Sequence, residues 1–374
     1  MNQFILNSYM PAKIISGHDC VKKNAAVFKG FGNKCLLVTG ASGAKKSGAL
    51  DDVINTLVAC DISYVIFDSV SQNPLAEECR LAGLLAVKEN VDFIVGIGGG
   101  SALDASKAVA IFAANPTFTV SDLYNRAIPA NRLPLVLIGT TAGTGSEVTG
   151  VSVLTDMKGF KKSISGADCY ADVSFCDAKY THSASYDVTV STALDAYAHA
   201  LESFFAETSN DLSALYAEKA LKLLWKNLNI LRTNKKQPIS DLQRNELYVA
   251  SLYAGLAINI TGTAFPHTAG YILTEIYNVP HGKACTAFHP QLMDKAEKYR
   301  PEKLEAVCAW FDTNKDGINE VIRDLTALTI HITDEQAKEY CSRWTSSVKN
   351  FDRTPGGYTP DEAVVGLLAF RETE

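Results

Sequence analysis

The sequence predicts an α/β domain built on a parallel sheet, followed by an all-α domain. In the first half, short apolar runs rich in Val, Ile and Leu alternate with stretches of helical periodicity. This rhythm is typical of βαβ units whose sheet is covered on both faces. After about residue 185 the β-rich runs stop and only helical periodicity continues. We therefore expect an α/β domain over residues 1–184 and a helical domain over residues 185–374.

The individual elements follow from local periodicity and from turn residues. Predicted strands occupy residues 34–40, 62–70, 92–100 and 133–143, and the helices between them occupy 47–60, 73–91 and 101–115. In the second half, helices are predicted at 188–207, 211–231, 240–260 and 301–311, and one more helix follows the loop "NFDRTPGG".

The composition favours an ordinary globular protein and argues against a nucleic-acid or membrane-surface partner. Apolar residues make up 47% of the chain and charged residues 20%, and the net charge of -6 offers no basic excess for nucleic acid or membrane surfaces. We find neither a membrane-spanning apolar run nor a signal-peptide pattern. The nine cysteines form no CxxC pair, so we expect free thiols in the cytoplasm rather than a disulfide framework.

Two polar turns follow predicted strands of the first half. In "GIGGGSALDASKA", residues Gly98, Gly99 and Gly100 lie between a buried strand and a helix, where backbone N–H groups and the helix dipole can hold a pyrophosphate. The second turn, "GTTAGTGSEVT", offers hydroxyl and N–H donors without charge. Two such turns at the carboxyl ends of parallel strands suit a dinucleotide. Two ordinary surface loops are the alternative interpretation.

Four candidate metal ligands lie in the second half. "TALDAYAHALES" places Asp195 and His199 one helical turn apart on an apolar face, where a buried carboxylate needs a partner or a cation. His267 and His281, each preceded by proline, complete a set of one carboxylate and three imidazoles. This set suits Fe²⁺ or Zn²⁺ with an open position, and neutral core histidines are the alternative. His289 is interpreted as a structural residue or a support behind the ligands.

These segments match the pattern of a known family. The chain resembles the iron-containing (group III) alcohol dehydrogenases almost end to end, through "GGGSALDASKA", "TTAGTGSEVT", "LDAYAHALES" and "FPHTAGYILTEIYNVPHGKA". The resemblance implies a Rossmann-like domain and a helical domain of dehydroquinate-synthase-like architecture, with the metal and the nicotinamide ring meeting in the cleft between them. It also implies reversible hydride transfer between a nicotinamide and an aldehyde carbonyl, with the metal as Lewis acid.

The resemblance also implies roles for individual residues. By motif position, the metal ligands are Asp195, His199, His267 and His281. Beside Gly99 of the glycine turn, the carried-over cofactor contacts are Asn73, Gly100, Ser101, Thr140, Thr141, Thr144 and Lys162, with Tyr180 as a weaker match.

Two departures from the family pattern bear on the cofactor and on proton transfer. At the end of the strand "LLVTG", many relatives carry an Asp that binds the ribose of NAD and repels a 2′-phosphate, whereas this chain has Gly40. Because Ser42, Lys45 and Lys46 can supply donors, we expect NADP(H) to be favoured over NAD(H), although the lysines could simply be a solvated helix start.

The second departure is Tyr271, at a position where many relatives have a histidine near the nicotinamide. A phenol has an ordinary pKa of about 10 and cannot relay a proton near neutral pH as imidazole can. We therefore expect the proton relay to run through the nicotinamide ribose and water.

Other functions fit the residues less well. A metal-dependent lyase of the dehydroquinate-synthase kind would share the architecture and use NAD without net turnover, and it remains the main alternative. A non-catalytic binding protein disagrees with the complete ligand set. "DTNKDGINEVIR" has EF-hand-like spacing, but its twelfth residue is Arg323 rather than Glu, so we interpret it as a turn and a helix cap.

The substrate and the assembly are predicted only in outline. Phe265, Tyr197 and Ile272 near the motifs suggest a small primary alcohol or diol, or the corresponding aldehyde. A homodimer is the expectation that the family resemblance provides.

Overall fold

The computed structural model describes residues 8–235, 237–344 and 348–370. It divides into two compact units. The first, here called the sheet unit, consists of Tyr9–Ser185 and Ile239–Tyr248. The second, here called the helical unit, consists of the described residues of Met1–Ser8, Tyr186–Pro238 and Val249–Glu374. The sheet unit thus includes one later segment that no pattern in the sequence indicates.

The sheet unit is built on parallel strands. The eight strands are β1 (Lys13–Ser16), β2 (Lys34–Gly40), β3 (Ser63–Val70), β4 (Phe93–Gly98), β5 (Leu135–Gly139), β6 (Val151–Thr155), β7 (Lys161–Ser165) and β8 (Val173–Cys176). Six of them form one sheet in the order β1-β8-β5-β4-β2-β3, with every neighbouring pair parallel. The predicted parallel sheet is confirmed, and β4 and β5 are buried along their whole length.

Helices give this sheet two separate apolar cores. The helices are α1 (Cys20–Lys23), α2 (Ala26–Lys29), α3 (Gly43–Lys46), α4 (Ala49–Ala59), α5 (Ala76–Lys88), α6 (Gly100–Ala114) and α7 (Val120–Tyr124). Leu36 packs with residues of α5 and α6, whereas the next residue, Leu37, packs with residues of α4. Adjacent residues of one strand join different cores because successive side chains point to opposite faces of a sheet.

Strands β6 and β7 form a separate antiparallel hairpin that no sequence pattern predicts. The Thr155 N–H donates to the Pro74 carbonyl at 2.8 Å, and the Thr155 hydroxyl donates to the Asn73 carbonyl at 3.1 Å. The hairpin is therefore fixed to the segment that carries Asn73, a residue with a left-handed φ of 62°.

The second half is helical, as predicted. Its helices are α8 (Tyr186–Phe205), α9 (Asp211–Thr233), α10 (Asp241–Thr261), α11 (Phe265–Tyr277), α12 (His281–Thr286), α13 (His289–Tyr299), α14 (Pro301–Phe311), α15 (Lys315–Thr326), α16 (Asp334–Cys341), α17 (Lys349–Asp352) and α18 (Pro360–Leu368). Within the described part of the chain, no strand follows Cys176. Helix α8 is buried along most of its length.

The EF-hand-like segment is a helix start, as predicted. The Asn314 side chain accepts the Gly317 N–H at 2.9 Å and caps α15, and Arg323 lies in the last turn of the same helix.

A helix that spans a membrane must be both long and apolar. None of them alone is both long enough and apolar enough, and only α10 and α11 taken together, which are bent by 113° at their break, reach the necessary length and composition.

Candidate functional site

Helix α8 carries three ionisable side chains on one face. Asp195, His199 and Glu202 follow one another at helical spacing, and each residue is at least nine-tenths buried. Burying two carboxylates is unfavourable unless cations or hydrogen bonds compensate. This face therefore requires partners from other helices.

Two later helices bring His267 and His281 to this face. His267 lies in the first turn of α11 next to Pro266, and His281 is the first residue of α12 after Pro280. Proline suits a helix start because its φ is already near the helical value and the first N–H groups have no partner within the helix.

Two glycines allow these helices to approach closely. A Cβ at Gly282 would lie 1.9 Å from the Ser191 carbonyl oxygen and 2.6 Å from the Asp195 nitrogen, so α12 packs on the backbone of α8. A Cβ at Gly270 would lie 3.0 Å from the Ala284 carbonyl, so α11 packs on the backbone of α12. The three helices thus meet where all four predicted metal ligands lie.

Three imidazoles lie around one oxygen of Asp195. The Nε2 atoms of His199, His267 and His281 lie 3.8, 3.7 and 3.8 Å from Asp195 Oδ1. These distances are too long for hydrogen bonds. Ligands of one tetrahedral ion, with bonds of about 2.1 Å, lie about 3.4 Å apart. The three distances from Asp195 are therefore only slightly longer than those between ligands of one cation. Asp195, His267 and His281 also lie within 4.8 Å of one another, in a group of donor atoms that does not include His199.

Two buried atoms provide an independent test of whether a metal fits. Asp195 Oδ1 and His267 Nε2 have no hydrogen-bond partner among the residues that the structure describes. Both belong to side chains that are about 5% exposed or less, and they face each other. A divalent cation between them would satisfy both atoms, so the residues present fit a metal.

Charge at the cluster also favours a cation. Burial opposes ionisation of Asp195, but the imidazoles of His199, His267 and His281 outweigh it and hold the pKa of this carboxyl below its ordinary value. Burial likewise opposes ionisation of Glu202, but His267 and His289 lower the pKa of Glu202 to about 2. Both carboxylates are therefore negatively charged near neutral pH.

Glu202 lies in the site, although it is not among the residues predicted from the sequence. Its carboxylate accepts the Nδ1–H of His267 at 2.6 Å and the N–H of Ala264 at 2.7 Å. Because an ionised carboxylate can only accept, Nδ1 of His267 carries a proton, and Nε2, which faces Asp195, is the nitrogen that could bind a metal in place of its own proton. The available signal was its position one turn after His199 on the same face of α8.

His289 lies behind these groups. Its Nε2 atom is 3.8 Å from Glu202 Oε1, and its ring packs against Tyr197 with ring centres 5.5 Å apart. His289 therefore lies next to Glu202 and Tyr197. This position agrees with its interpretation as a structural residue or a support behind the metal ligands.

Tyr271 and Cys285 flank His281, whose side chain is 29% exposed and the most accessible of the four predicted ligands. The Tyr271 ring stacks on the His281 ring with centres 5.7 Å apart. Cys285, one turn after His281, has its Sγ atom 3.7 Å from both ring nitrogens of His281, and burial raises the pKa of its thiol. Cys285 is not among the site residues predicted from the sequence.

The glycine turn of the sheet unit lies where the strand order reverses. From β2 the chain continues outward to β3, whereas β4 lies on the other side of β2 and is followed outward by β5. Nucleotides bind parallel sheets at such a point, at the carboxyl ends of the strands. Gly98 has a φ of 154°, and α6 begins directly after the turn, so a 15-residue helix presents its N-terminus there.

The second polar turn packs on the first. A Cβ at Gly100 would lie 2.4 Å from Thr144 Cγ2, and a Cβ at Gly99 would lie 3.1 Å from Thr141 Oγ1. The Ser101 hydroxyl accepts the Asn73 N–H at 3.4 Å, and the Thr140 N–H donates to the Gly98 carbonyl at 2.9 Å. The structure thus brings together seven of the predicted cofactor contacts: Asn73, Gly99, Gly100, Ser101, Thr140, Thr141 and Thr144.

Two charged residues of α6 fix the second turn in place. The Asp104 carboxylate accepts the Ser146 hydroxyl at 2.6 Å and the Val153 N–H at 2.9 Å. Lys107 is fully buried and donates to the Val151 carbonyl at 2.7 Å. Both belong to the "GGGSALDASKA" motif, and they position the turns rather than lie among the predicted cofactor contacts.

Gly40 and Ser42 lie at the carboxyl end of β2. Gly40 is the last residue of the strand, where a Cβ would lie 3.3 Å from the Val70 carbonyl oxygen. Ser42 precedes α3 and is exposed. The glycine therefore has a packing reason as well as the cofactor reason considered from the sequence.

Lys162 and Tyr180 lie in different surroundings. Lys162 is exposed on β7 with its Nζ atom 4.3 Å from the centre of the Tyr124 ring. Tyr180 is fully buried and donates its hydroxyl to Asp52 at 3.0 Å. A cofactor role for Tyr180 stays a prediction that its burial does not favour.

Comparison with known proteins places these motifs in one family. Residues 11–178 match the model of the iron-containing alcohol dehydrogenases, and residues 189–337 match the model of the C-terminal part of the Fe-containing alcohol dehydrogenase family. The sulfoacetaldehyde reductase of Bilophila wadsworthia is 31% identical over 80% of this chain and 77% of its own length. The 1,3-propanediol dehydrogenase of Citrobacter freundii is 33% identical over the same shares.

Solved structures agree with the sequence relatives. An iron-containing alcohol dehydrogenase from Thermotoga maritima is 33% identical and superposes with a TM-score of 0.90, covering 98% of this chain and 99% of that one. Both the sheet unit and the helical unit are therefore shared over nearly their whole length. The chain belongs to the iron-containing alcohol dehydrogenase family.

Proposed function

We propose that this chain is a metal-dependent alcohol dehydrogenase that interconverts a small primary alcohol or diol and its aldehyde with NADP(H). The observation that carries the proposal is the cluster of Asp195, His199, His267 and His281, in which the buried atoms Asp195 Oδ1 and His267 Nε2 lack other partners among the described residues. When bound, the divalent metal supplies a Lewis acid for the substrate oxygen and the nicotinamide supplies or accepts the hydride.

The chain's own residues prepare this chemistry in both units. Glu202 sets the tautomer of His267 and fixes the start of α11 through the Ala264 N–H. In the sheet unit, the N-terminus of α6 and the hydroxyl groups of the second turn provide donors for a pyrophosphate and a ribose. Iron is the metal favoured by family membership, and zinc suits the same donor types.

Tyr271 is proposed to shape the accessible side of the metal site. Its ring stacks on His281, which limits how that imidazole can turn. A phenol at this position can donate a hydrogen bond, but it is a poor proton relay near neutral pH because its ordinary pKa is about 10. We therefore propose that Tyr271 positions His281 and is not the proton relay, a role that the ribose of a bound nicotinamide, together with water, would supply.

Three residues near the sequence motifs suggested a small alcohol or aldehyde as substrate, but their positions in the fold do not support this. Phe265, Tyr197 and Ile272 are fully buried, and Phe265 stacks on Tyr358 with ring centres 3.8 Å apart. They pack the interior of the helical unit. The proposal of a small alcohol or aldehyde therefore rests on the relatives, whose names specify propanediol and sulfoacetaldehyde.

The preference for NADP(H) rests on the end of β2. Gly40 carries no charge there, and Lys46 is exposed nearby on α3. Lys45 forms an ion pair with Asp68 at 2.8 Å, so we assign Lys46 and Ser42 as donors to the 2′-phosphate.

We expect a higher kcat/KM with NADPH than with NADH. In Lys46→Ala, kcat/KM should fall with NADPH and stay unchanged with NADH. The same substitution at exposed Lys29 serves as control. Equal efficiency with both cofactors, or a preference for NADH, would overturn this proposal.

One variant tests the proposed activity. We expect His267→Ala to abolish metal binding and aldehyde reduction, measured as loss of the near-ultraviolet absorbance of NADPH, while the far-ultraviolet circular dichroism is unchanged. A variant that lacks metal but retains full activity would contradict the assignment. The lyase alternative gains no support from the relatives described above, and it would show no net change in nicotinamide absorbance.

We also propose that the protein is cytoplasmic and forms a homodimer. All nine cysteines are free, and eight of them are buried, which supports a reducing compartment such as the cytoplasm. A homodimer stays a prediction, and sedimentation equilibrium of the full chain tests it.

A further inference from the structure

Helix α10 contributes a buried tyrosine to the sheet unit. The segment Ile239–Tyr248, which carries the start of α10, belongs to that unit, whereas the rest of the helix belongs to the helical unit. Tyr248 is buried, and its hydroxyl donates to Glu147 Oε1 at 2.9 Å and lies 3.5 Å from the Gly139 carbonyl oxygen. The hydroxyl therefore lies against both ends of the second polar turn, "GTTAGTGSEVT".

These contacts close the turn on itself. A Cβ at Gly139 would lie 1.9 Å from Glu147 Oε1 and 2.6 Å from the Tyr248 hydroxyl, so the carboxyl and the phenol both pack on the backbone of the first residue of the turn. Thr140 and Thr141, two of the predicted cofactor contacts, follow that glycine directly. The position of these two threonines therefore depends on how the carboxyl and the phenol are held.

Glu147 requires a donor at this place. Its carboxyl is buried, and burial raises the pKa of this group above its ordinary value. A buried carboxyl is unfavourable unless it is hydrogen-bonded, and the Tyr248 hydroxyl supplies such a bond. The carbonyl of Glu147 accepts the Ser174 hydroxyl from β8 at 2.7 Å. The bond from Ser174 thus holds the backbone of Glu147, and the bond from Tyr248 holds its side chain against Gly139.

We propose that Tyr248 is a positioning residue for the dinucleotide, acting through Glu147 on the second polar turn. This inference rests on the cofactor site of the proposed function. By holding Glu147 against Gly139, Tyr248 orders the turn before the cofactor arrives, so that less of the binding free energy is used to order it. The effect concerns the turn and not the 2′-phosphate, so it applies equally to NADPH and NADH.

Tyr248→Phe tests this proposal because it removes the hydroxyl and keeps the ring. Binding of NADPH and of NADH to the full-length, metal-loaded protein is followed by nicotinamide fluorescence, which does not depend on turnover. We expect both dissociation constants to rise about tenfold, because the buried Glu147 carboxyl loses a donor. The ratio of the two constants and the metal affinity should stay unchanged. In steady-state kinetics, KM for the cofactor should rise, whereas kcat at saturating cofactor should not change.

Tyr253→Phe is the matched control, since Tyr253 lies on the same helix and its ring stacks on Tyr216 with centres 6.4 Å apart. This variant should bind both cofactors as the wild type does. In the background of Glu147→Leu, Tyr248→Phe should cause no further loss of cofactor affinity, because the two residues act as a pair.

Several results would overturn the role of Tyr248. A purely structural Tyr248 would lower the free energy of unfolding without changing the cofactor dissociation constants of the folded protein. Unchanged constants in Tyr248→Phe, an equal rise in Tyr253→Phe, a changed ratio between NADPH and NADH, or additive losses with Glu147→Leu would each contradict the proposal. So would a Tyr248→Phe protein that does not fold, because its hydroxyl would then be needed for the sheet unit as a whole. A wild type that binds neither cofactor would instead overturn the cofactor site of the proposed function.

Discussion

At the scale of single residues, Glu202 determines how His267 presents its nitrogen. The substitution Glu202→Gln keeps the shape of the side chain but replaces a charged acceptor of the His267 Nδ1–H and the Ala264 N–H by a neutral amide. We expect the fold to remain and the metal affinity to fall about 10–100-fold, since residues behind metal-bound histidines have effects of this size. Metal-binding titrations of the two proteins measure the difference.

The matched control is Glu218→Gln on α9, where the side chain forms a surface ion pair with Lys222. This variant should bind metal as the wild type does. If Glu202→Gln also retained full affinity, Glu202 would be only a structural residue.

Lys303 offers a prediction of pH dependence away from the metal. Burial, assisted by the nearby charge of Arg300, lowers the pKa of Lys303 to about 8, and its Nζ atom donates to the Phe204 carbonyl at 2.6 Å. Between about pH 8 and about 10.4, the ordinary value for an unfolded lysine, the unfolded chain binds more protons than the folded chain. The contribution of Lys303 to stability therefore rises with pH through this window.

Comparison with Lys303→Met isolates this contribution. We expect the free energy of unfolding of the wild type, relative to the variant, to increase as pH is raised from 7 to about 10 in urea titrations. The variant Lys298→Met, at an exposed position on α13, controls for general effects of charge. If the difference in the free energy of unfolding between wild type and Lys303→Met stayed constant or fell with pH, the pKa of Lys303 would not be lowered in the folded protein.

The residues of the site differ in how well the sequence reveals them. Asp195 and His199, one turn apart on an apolar face, are not specific by themselves. They could be found because His267 and His281 complete a ligand set and the surrounding motifs resemble a known family. Glu202 looks like an ordinary helical glutamate until the start of α11 is known to lie against it. Cys285 requires the same tertiary knowledge, because only folding places its sulfur beside Asp195 and His267.

At the scale of elements, the metal cluster depends on the closeness of α8 and α12. In Gly282→Ala, the added Cβ would lie 1.9 Å from the Ser191 carbonyl, which is backbone and cannot rotate away. Helix α12 must therefore move, and His281 moves with it. We expect a loss of about 1–3 kcal/mol in the free energy of unfolding, typical of overpacking, and a clear loss of metal affinity.

Gly30→Ala is the control for this substitution. Its Cβ would meet the nearest atom, the Val27 carbonyl oxygen, at an ordinary 3.4 Å, and the residue is exposed beside α2. Unfolding titrations and metal binding should leave this control near the wild type. A Gly282→Ala protein with normal metal affinity would show that the close helix contact is not needed to position His281.

Sequence patterns predicted long or deeply buried elements better than short ones. The uninterrupted apolar runs of β4 and β5 and the long periodic stretch of α8 were found because burial extends along the whole element. The hairpin of β6 and β7 was missed because each strand has five residues and its outer face is only partly buried. Its position depends on hydrogen bonds to Asn73 and Pro74, which local sequence does not encode.

At the scale of the whole molecule, the two proposed ligands belong to separate units. The metal donors come from three helices of the helical unit, and the predicted dinucleotide contacts come from turns of the sheet unit. A ligand that binds only the folded chain raises the free energy of unfolding by about 2.7 kcal/mol when its concentration is 100 times its dissociation constant. We therefore expect metal and NADP(H) each to raise the midpoint of thermal unfolding.

Crossed variants test whether the two effects have separate origins. His267→Ala should abolish the thermal shift caused by metal and retain the shift caused by NADP(H). Gly100→Ala should do the reverse, because its Cβ would lie 2.4 Å from Thr144 Cγ2 and would separate the two turns of the sheet unit without touching the metal donors. Calorimetry of each of the two variants with metal and with NADP(H) measures these shifts in the midpoint of thermal unfolding. If His267→Ala lost both shifts, dinucleotide binding would require the metal site, and the assignment of the two ligands to separate units would be wrong.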